Sequence, residues 1–203
     1  MKRSLIFFSL IFFLYGCSIL PSKPTSTFNH PLSKLTNIPE NLINRTWLER
    51  FSIDIQLTKQ NNIHQELLLR TEFTTTHINI VMLSLDGIAL AQAQWNSQTQ
   101  TLKVERILDT PLTKQLDIKK VFHDLQAAHW PVKKLKEVLS PEYSFSEETV
   151  NGIKIRRFFY QNKVIIVIRK KAAQISLEYI NAGYQIKMSR LQDSQLKPPL
   201  KKK

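Results

Sequence analysis

His77-Ile-Asn-Ile-Val-Met-Leu-Ser-Leu-Asp-Gly-Ile-Ala-Leu-Ala-Gln-Ala-Gln-Trp95 reads as two strands folded about a turn. Ile78, Ile80 and Met82 share one face of the first strand, and Val81, Leu83 and Leu85 share the other, because side chains alternate along extended backbone. Both faces are largely apolar, so each needs a cover. Asp86-Gly87 predicts a tight hairpin, since a type I′ turn requires positive φ at both central residues. Ile88 to Trp95 then returns antiparallel.

The period of two extends outward in both directions. Upstream, Phe51, Ile53, Ile55 and Leu57 alternate with polar residues from Thr46 onward, and Gln60-Asn61-Asn62 turns the chain. Leu67, Leu69, Thr71 and Phe73 form the next alternation, and Thr101 to Ile107 completes a first run of about five strands. After Pro111 the period changes. Ile118, Val121, Phe122 and Leu125 fall at i, i+3, i+4 and i+7, one face of an amphipathic helix with Asp117 as its N-cap. Trp130-Pro131 ends that helix, Val132, Leu135 and Leu139 continue a shorter one, and Pro141 stops it. Strands resume over Tyr143–Val150, Ile153–Tyr160, Lys163–Arg169, Ala172–Ile180 and Tyr184–Leu191. Beyond Gly16 the chain has glycine only at 87, 152 and 183, each where two strand patterns meet. The pattern predicts a mainly β (α+β) domain: a curled antiparallel meander or incomplete β-barrel of about ten strands, with the central helical insert as plug or lid.

The N-terminus has a different composition. Lys2 and Arg3 precede an apolar run, Leu5 to Leu14, that is shorter than the about 20 residues of a spanning helix. Leu14-Tyr15-Gly16-Cys17 matches a lipobox, in which the thiol is acylated and the chain is cut before Cys17. Residues 1–16 then form a lipoprotein signal peptide. The alternative is an ordinary secretory signal followed by an accidental cysteine. Cys17 is the only cysteine, which excludes a disulfide framework and a cysteine metal site. Several acyl chains on Cys17 would anchor the protein durably to membrane lipid. Residues 17–45 hold Pro21, Pro24, Pro31 and Pro39 among polar residues, and predict an extended tether. The domain proper is expected over 46–191, with a basic tail over 192–203.

Loss of Lys2 and Arg3 takes the basic count from 29 to 27 and the formal charge from +13 to +11. Export excludes nucleic acid as a partner. An anionic membrane surface and a merely solvated basic face are the two readings left for this charge.

The sequence carries no signature of catalysis, and no enzyme is expected. His30, His64, His77, His123 and His129 have no metal-ligand spacing. His123 falls off the apolar helix stripe and reads as solvated. Glu147 and Glu148 are adjacent on a strand and point to opposite faces. No Gly-x-Ser-x-Gly or phosphate-cradling loop exists. Trp47, Trp95 and Trp130 are read as core, with a cavity or interface role as the alternative. Neither cofactor nor metal is expected.

Leu83–Gln92, Asp124-Leu-Gln-Ala-Ala-His-Trp-Pro131 and Arg157-Phe-Phe-Tyr160 resemble segments of a bacterial lipoprotein family, domain of unknown function 3261, over roughly Thr46 to Leu191. The order of elements also resembles the LolA/LolB lipoprotein carriers. These resemblances imply an incomplete barrel with a helical lid over an apolar cavity, and a link to export of aryl polyene lipids. Ser18, where lipoproteins retained in the inner membrane carry Asp, implies an outer-membrane anchor with the domain facing the periplasm. A protruding leucine beside a glycine in LolB has its nearest counterpart in Leu85-Asp86-Gly87-Ile88. Leu85 and Ile88 are thereby candidates for a membrane-facing loop, with packing in the sheet as the alternative.

The functional expectation is a lipid carrier or acceptor that holds acyl chains of a lipid or lipoprotein in the half-barrel. The expected lining is Ile80, Met82, Leu90, Ile155, Ile166 and Leu177, with Phe122, Leu125 and Trp130 from the lid. The competing expectation is an envelope scaffold with a filled core that docks a protein partner. An empty apolar chamber favours the first and close packing the second.

Overall fold

The computed structural model describes residues 30–56, 62–110, 117–180 and 182–195. The expected signal peptide, Cys17, the expected tether up to residue 29, the Gln60-Asn61 turn, Pro111 and the last eight residues of the tail lie outside the described residues.

Ten strands form one antiparallel sheet: β1 (Arg45–Gln56), β2 (Asn62–Phe73), β3 (His77–Leu83), β4 (Ala89–Asn96), β5 (Thr101–Arg106), β6 (Tyr143–Val150), β7 (Ile153–Tyr160), β8 (Lys163–Lys171), β9 (Gln174–Tyr179) and β10 (Tyr184–Gln195). Their order is β5-β4-β3-β2-β1-β10-β9-β8-β7-β6, so the two meanders expected from sequence join through the first and last strands. Phe51 faces Met188 and Ile53 faces Ile186 across that seam. The sheet is open and curled, with β5 and β6 as its edges.

This topology decides where the helices go. The segment between β5 and β6 must travel from one edge of the sheet to the other, and it does so across the concave face. It contains α1 (Ile118–His129) and α2 (Val132–Lys136). Asp117 caps α1 by accepting from Lys120 N at 3.2 Å. Pro131 sits at the entry to α2, where its missing N–H costs nothing. Phe122, Leu125, Ala127 and Trp130 meet Leu69, Phe73, Ile80, Phe158, Ile166 and Leu177 in one buried core.

Glycine conformations follow the sequence reading with one correction. Asn151 and Gly152 have φ of 51° and 74°, the pair of positive values that a type I′ turn needs. At the β3–β4 hairpin only Gly87 is positive, at 82°. Gly87 N donates to Ser84 O at 3.0 Å and Ser84 N to Ile88 O at 2.8 Å, which makes a three-residue loop, Leu85-Asp86-Gly87. The expected two-residue Asp86-Gly87 turn is therefore replaced by a longer one that lifts Leu85 and Ile88 to the tip, 48% and 56% exposed.

The tether ends earlier than its composition predicts. Residues 30–44 pack onto the domain as a strap, with Leu32, Leu35, Ile38 and Leu42 buried and a single 3₁₀ turn at Glu40–Leu42. Proline excludes helix from this stretch but not burial, and these four side chains supply the apolar anchor. At the other end β10 runs to Gln195, four residues past the expected boundary, because β1 offers it a partner as far as Arg45.

Candidate functional site

The strap crosses the helical insert and is fastened to it by few, well-placed bonds. Thr36 N donates to Gln126 Oε1 at 2.8 Å, and Gln126 Nε2 donates to Lys34 O at 3.2 Å. Trp130 Nε1 donates to Asn37 O at 3.2 Å. Leu32 bridges to Leu139, and Ser33 N reaches Val138 O at 2.9 Å. Gln126 and Trp130 are each 1% exposed, so their polar atoms must be satisfied inside the protein, and the strap satisfies them.

Between strap, helices and the β4–β5 hairpin lies an open cleft of about 780 Å³. Leu35, Trp95, Leu102 and Val138 give it apolar surface, while Lys34, Lys119 and Lys134 give it charge. Glu137 is also there, paired to Lys134 at 3.1 Å. Lys34 and Lys119 form no ion pair among the described residues. Ser33, Thr36, Asn37 and Gln100 line it as well, so the site combines a partly apolar wall with polar groups and a net positive rim.

A second pocket of about 410 Å³ opens at the start of α1 and shares Ser33, Lys119 and His123 with the cleft. It adds His30, Leu32, Asp117, Lys120, Ser140 and Glu142. Behind it stands a buried polar cluster. The Tyr179 hydroxyl donates to Asp124 Oδ1, His30 Nε2 lies 3.5 Å from the same oxygen, and the His30 and His123 rings stack at 4.9 Å. Lys120 Nζ lies 3.8 Å from the ring centres of both Tyr179 and Tyr184. Burial lowers the pKa of the Lys120 ammonium, while Asp124 and Asp117 pull it the other way. Burial, reinforced by the charges of His30 and Lys119, takes His123 down to about 4. His123 is 4% exposed, which corrects the expectation of a solvated ring. Its helical position lies off the apolar stripe, but the strap covers that side, and the sequence pattern of α1 holds no sign of the strap.

The residues expected to line a chamber are placed otherwise. Ile80, Met82, Leu90, Ile166 and Leu177 are buried, and so are Phe122, Leu125 and Trp130, all in one packed cluster. None of them lines the cleft. Ile155 is half-buried on the opposite face of β7, and Arg156 takes the inward position beside Phe158. That one-residue slip is stable because Arg156 Nε donates to Glu147 Oε2 at 2.6 Å and Nη1 to Ala127 O at 2.6 Å. Trp47, Trp95 and Trp130 are all buried. Glu147 and Glu148 are held apart by Arg156 and Arg157 respectively. Among the described residues no three His, Cys, Asp or Glu side chains stand where they would hold a metal ion.

The family model described as protein of unknown function, DUF3261, matches residues 54–192, more than half of the sequence. The chain belongs to the DUF3261 family. That span covers β1 from Asp54 onward, the strands from β2 through β10 as far as Gln192, and the helical insert, and leaves the strap outside it. No curated protein matches the chain. Among solved structures, the DUF3261 chain is similar to a domain described as that of an outer membrane lipoprotein-sorting protein from Vibrio parahaemolyticus, at 7% identity and a TM-score of 0.32, over 81% of this chain and 88% of that one. It is also similar to a LolA superfamily protein from Nitrosomonas europaea, at 5% identity and a TM-score of 0.34, over 78% and 90% of the two chains. A DUF1329 family protein from Desulfovibrio piger gives 8% identity and a TM-score of 0.30, over 78% and 87%.

Proposed function

We propose that this DUF3261 protein is a non-catalytic lipoprotein, anchored in the outer membrane through acylated Cys17 and facing the periplasm, that binds an acyl-bearing lipid or lipoprotein in the strap cleft. The cleft carries the reading: an apolar wall of Leu35, Trp95, Leu102 and Val138 beside Lys34 and Lys119 suits a molecule with a hydrocarbon chain and an anionic end. The lipobox supports it by bringing the domain to a lipid surface. The exposed Leu85 and Ile88 on their lifted loop support it too, as apolar side chains free to enter a bilayer. A role in export of an aryl polyene lipid belongs to the same reading, with that lipid as the acyl cargo.

The packed interior favours a second reading, an envelope scaffold that docks a protein partner. Under the first reading, a fluorescent acyl probe binds the lipid-free chain with one-to-one stoichiometry, and Leu102→Glu abolishes binding without unfolding the domain. A folded protein with no probe binding and no lipid extractable by organic solvent refutes the carrier and leaves the scaffold.

A further inference from the structure

We infer that the pocket at the start of α1 is a head-group subsite for a zwitterionic lipid, one bearing a phosphate and a primary ammonium. The inference rests on the acyl-binding reading of the cleft and names the class of ligand. Ser33, Lys119 and His123 line both spaces, so a ligand whose chain lies in the larger reaches the smaller with its polar end.

Three features of the smaller pocket select the head group. His123 lines the pocket, is 4% exposed, and its Nδ1 has no hydrogen-bond partner among the described residues. Native folds rarely leave such atoms unsatisfied unless something else fills the site. The charges around the pocket are mixed and balanced, with Lys119 and Lys120 against Asp117 and Glu142. Lys119 and Glu142 form no ion pair among the described residues, with each other or elsewhere. Finally, α1 presents its first turn here. The Asp117 carboxylate accepts from Lys120 N, and the amide of Lys119, a lining residue, has no partner among the described residues and is oriented along the helix dipole for a phosphate oxygen. A bare anion gains the two lysines but leaves Glu142 beside it without a counter-charge, whereas a phosphate tied to an ammonium places one charge on Lys119 and its amide and the other on Glu142.

The test uses the whole mature chain carrying Cys17→Ser, so that it is purified without its own acyl groups. A dansylated fatty acid is bound first and then displaced by dihexanoyl lipids that differ only in head group: ethanolamine, glycerol or choline phosphate. The expected result is displacement by the ethanolamine lipid at about tenfold lower concentration than by the glycerol lipid. Glu142→Gln, an exposed position, brings that ratio close to one, whereas Lys119→Gln, facing the phosphate that all three lipids share, raises the concentration each of them needs and leaves the ratio near tenfold. Equal displacement by all three lipids overturns the head-group assignment and leaves the acyl cleft standing. Failure of the dansylated fatty acid to bind overturns both. Phosphorus NMR line broadening of inorganic phosphate, with no displacement of the probe, makes this a site for a free anion and overturns the lipid assignment.

Discussion

Gln126→Leu isolates what holds the strap in place. Gln126 is buried in α1 and makes two hydrogen bonds to the strap, at 2.8 Å from Thr36 N and 3.2 Å to Lys34 O. Leucine keeps the helix propensity and nearly the volume, so the change is confined to those bonds. Thr36 is itself buried, 8% exposed, and its N–H is left without a partner, at a cost of about 1–3 kcal/mol. The Lys34 carbonyl is nearer solvent and can recruit water, for a loss of about 0.5–1 kcal/mol. Burying two more apolar carbons returns about 1.5 kcal/mol, so the net is about 1–2 kcal/mol, or roughly 2–8 °C in Tm for a domain of this size. Urea unfolding followed by tryptophan fluorescence reads the global effect. Hydrogen exchange reads the local one: amides of residues 33–37 lose protection more than those of β7 and β8. A midpoint unchanged within about 0.3 kcal/mol, with protection of the strap intact, refutes the view that Gln126 fastens it.

Arg156→Met removes the bonds to Glu147 and to Ala127 O and exposes a carboxylate that retains only Lys154 at 3.4 Å; about 2–4 kcal/mol of stability is lost, measured by urea denaturation. Burial pushes the Glu147 carboxyl up, but the Arg156 hydrogen bond and charge, with Lys154, outweigh it and hold the group below 4.5. Its contribution is therefore complete above pH 4.5 and is lost as pH falls through the lower folded value, an acid limb that Arg156→Met makes shallower. His123 has the lowered pKa of a buried imidazole, about 4 against 6.5, so the unfolded chain binds the extra proton between those values. Stability falls on acidification across that window, His123→Phe flattens the fall, and a His123 Cε1 proton titrating near 6.5 in the folded protein would contradict it. Leu85→Asp with Ile88→Asp leaves the urea midpoint within about 0.5 kcal/mol, since both side chains are exposed, but reduces flotation of the Cys17→Ser chain with anionic vesicles; undiminished flotation removes the hairpin from the membrane contact.

Most of the sheet is legible in the sequence because a period of two and a glycine at a turn are local signals. Asn151-Gly152 needs only its own two φ values, and the structure supplies them. What escapes are the features set by contact between distant segments. Arg156 is the inward residue of β7 because Glu147 and the end of α1 wait for it, and the run Ile153-Lys-Ile-Arg-Arg-Phe-Phe-Tyr160 fits either register equally well. The strap is hidden by its prolines. Its signal was the spacing of Leu32, Leu35, Ile38 and Leu42, an apolar residue every three or four positions where a solvated tether has no use for one. The polar cluster of His30, His123, Asp124 and Tyr179 draws on the strap, α1 and β9, and no window of sequence contains it.

The packing of the interior bears directly on where a ligand goes. For an acyl chain to occupy the concave face, α1 must leave it, and Ile118, Val121, Phe122, Leu125 and Trp130 must all come out of a core in which each is less than 10% exposed. At about 1.5–3 kcal/mol for each buried side chain, that opening costs on the order of 10 kcal/mol, comparable to the whole stability of an ordinary domain. A micromolar ligand supplies about 8 kcal/mol in total, too little to lift the helix and still bind. The strap is a smaller obstacle. Its residues 33–37 already form one wall of an open cleft, fastened chiefly through Gln126, Trp130 and Val138. Widening that wall costs a few hydrogen bonds rather than a core. The strap is also the described segment nearest in sequence to Cys17, the anchor under the proposed function. For the ligand proposed above, entry at the strap, with α1 held fixed, is the route the energies allow.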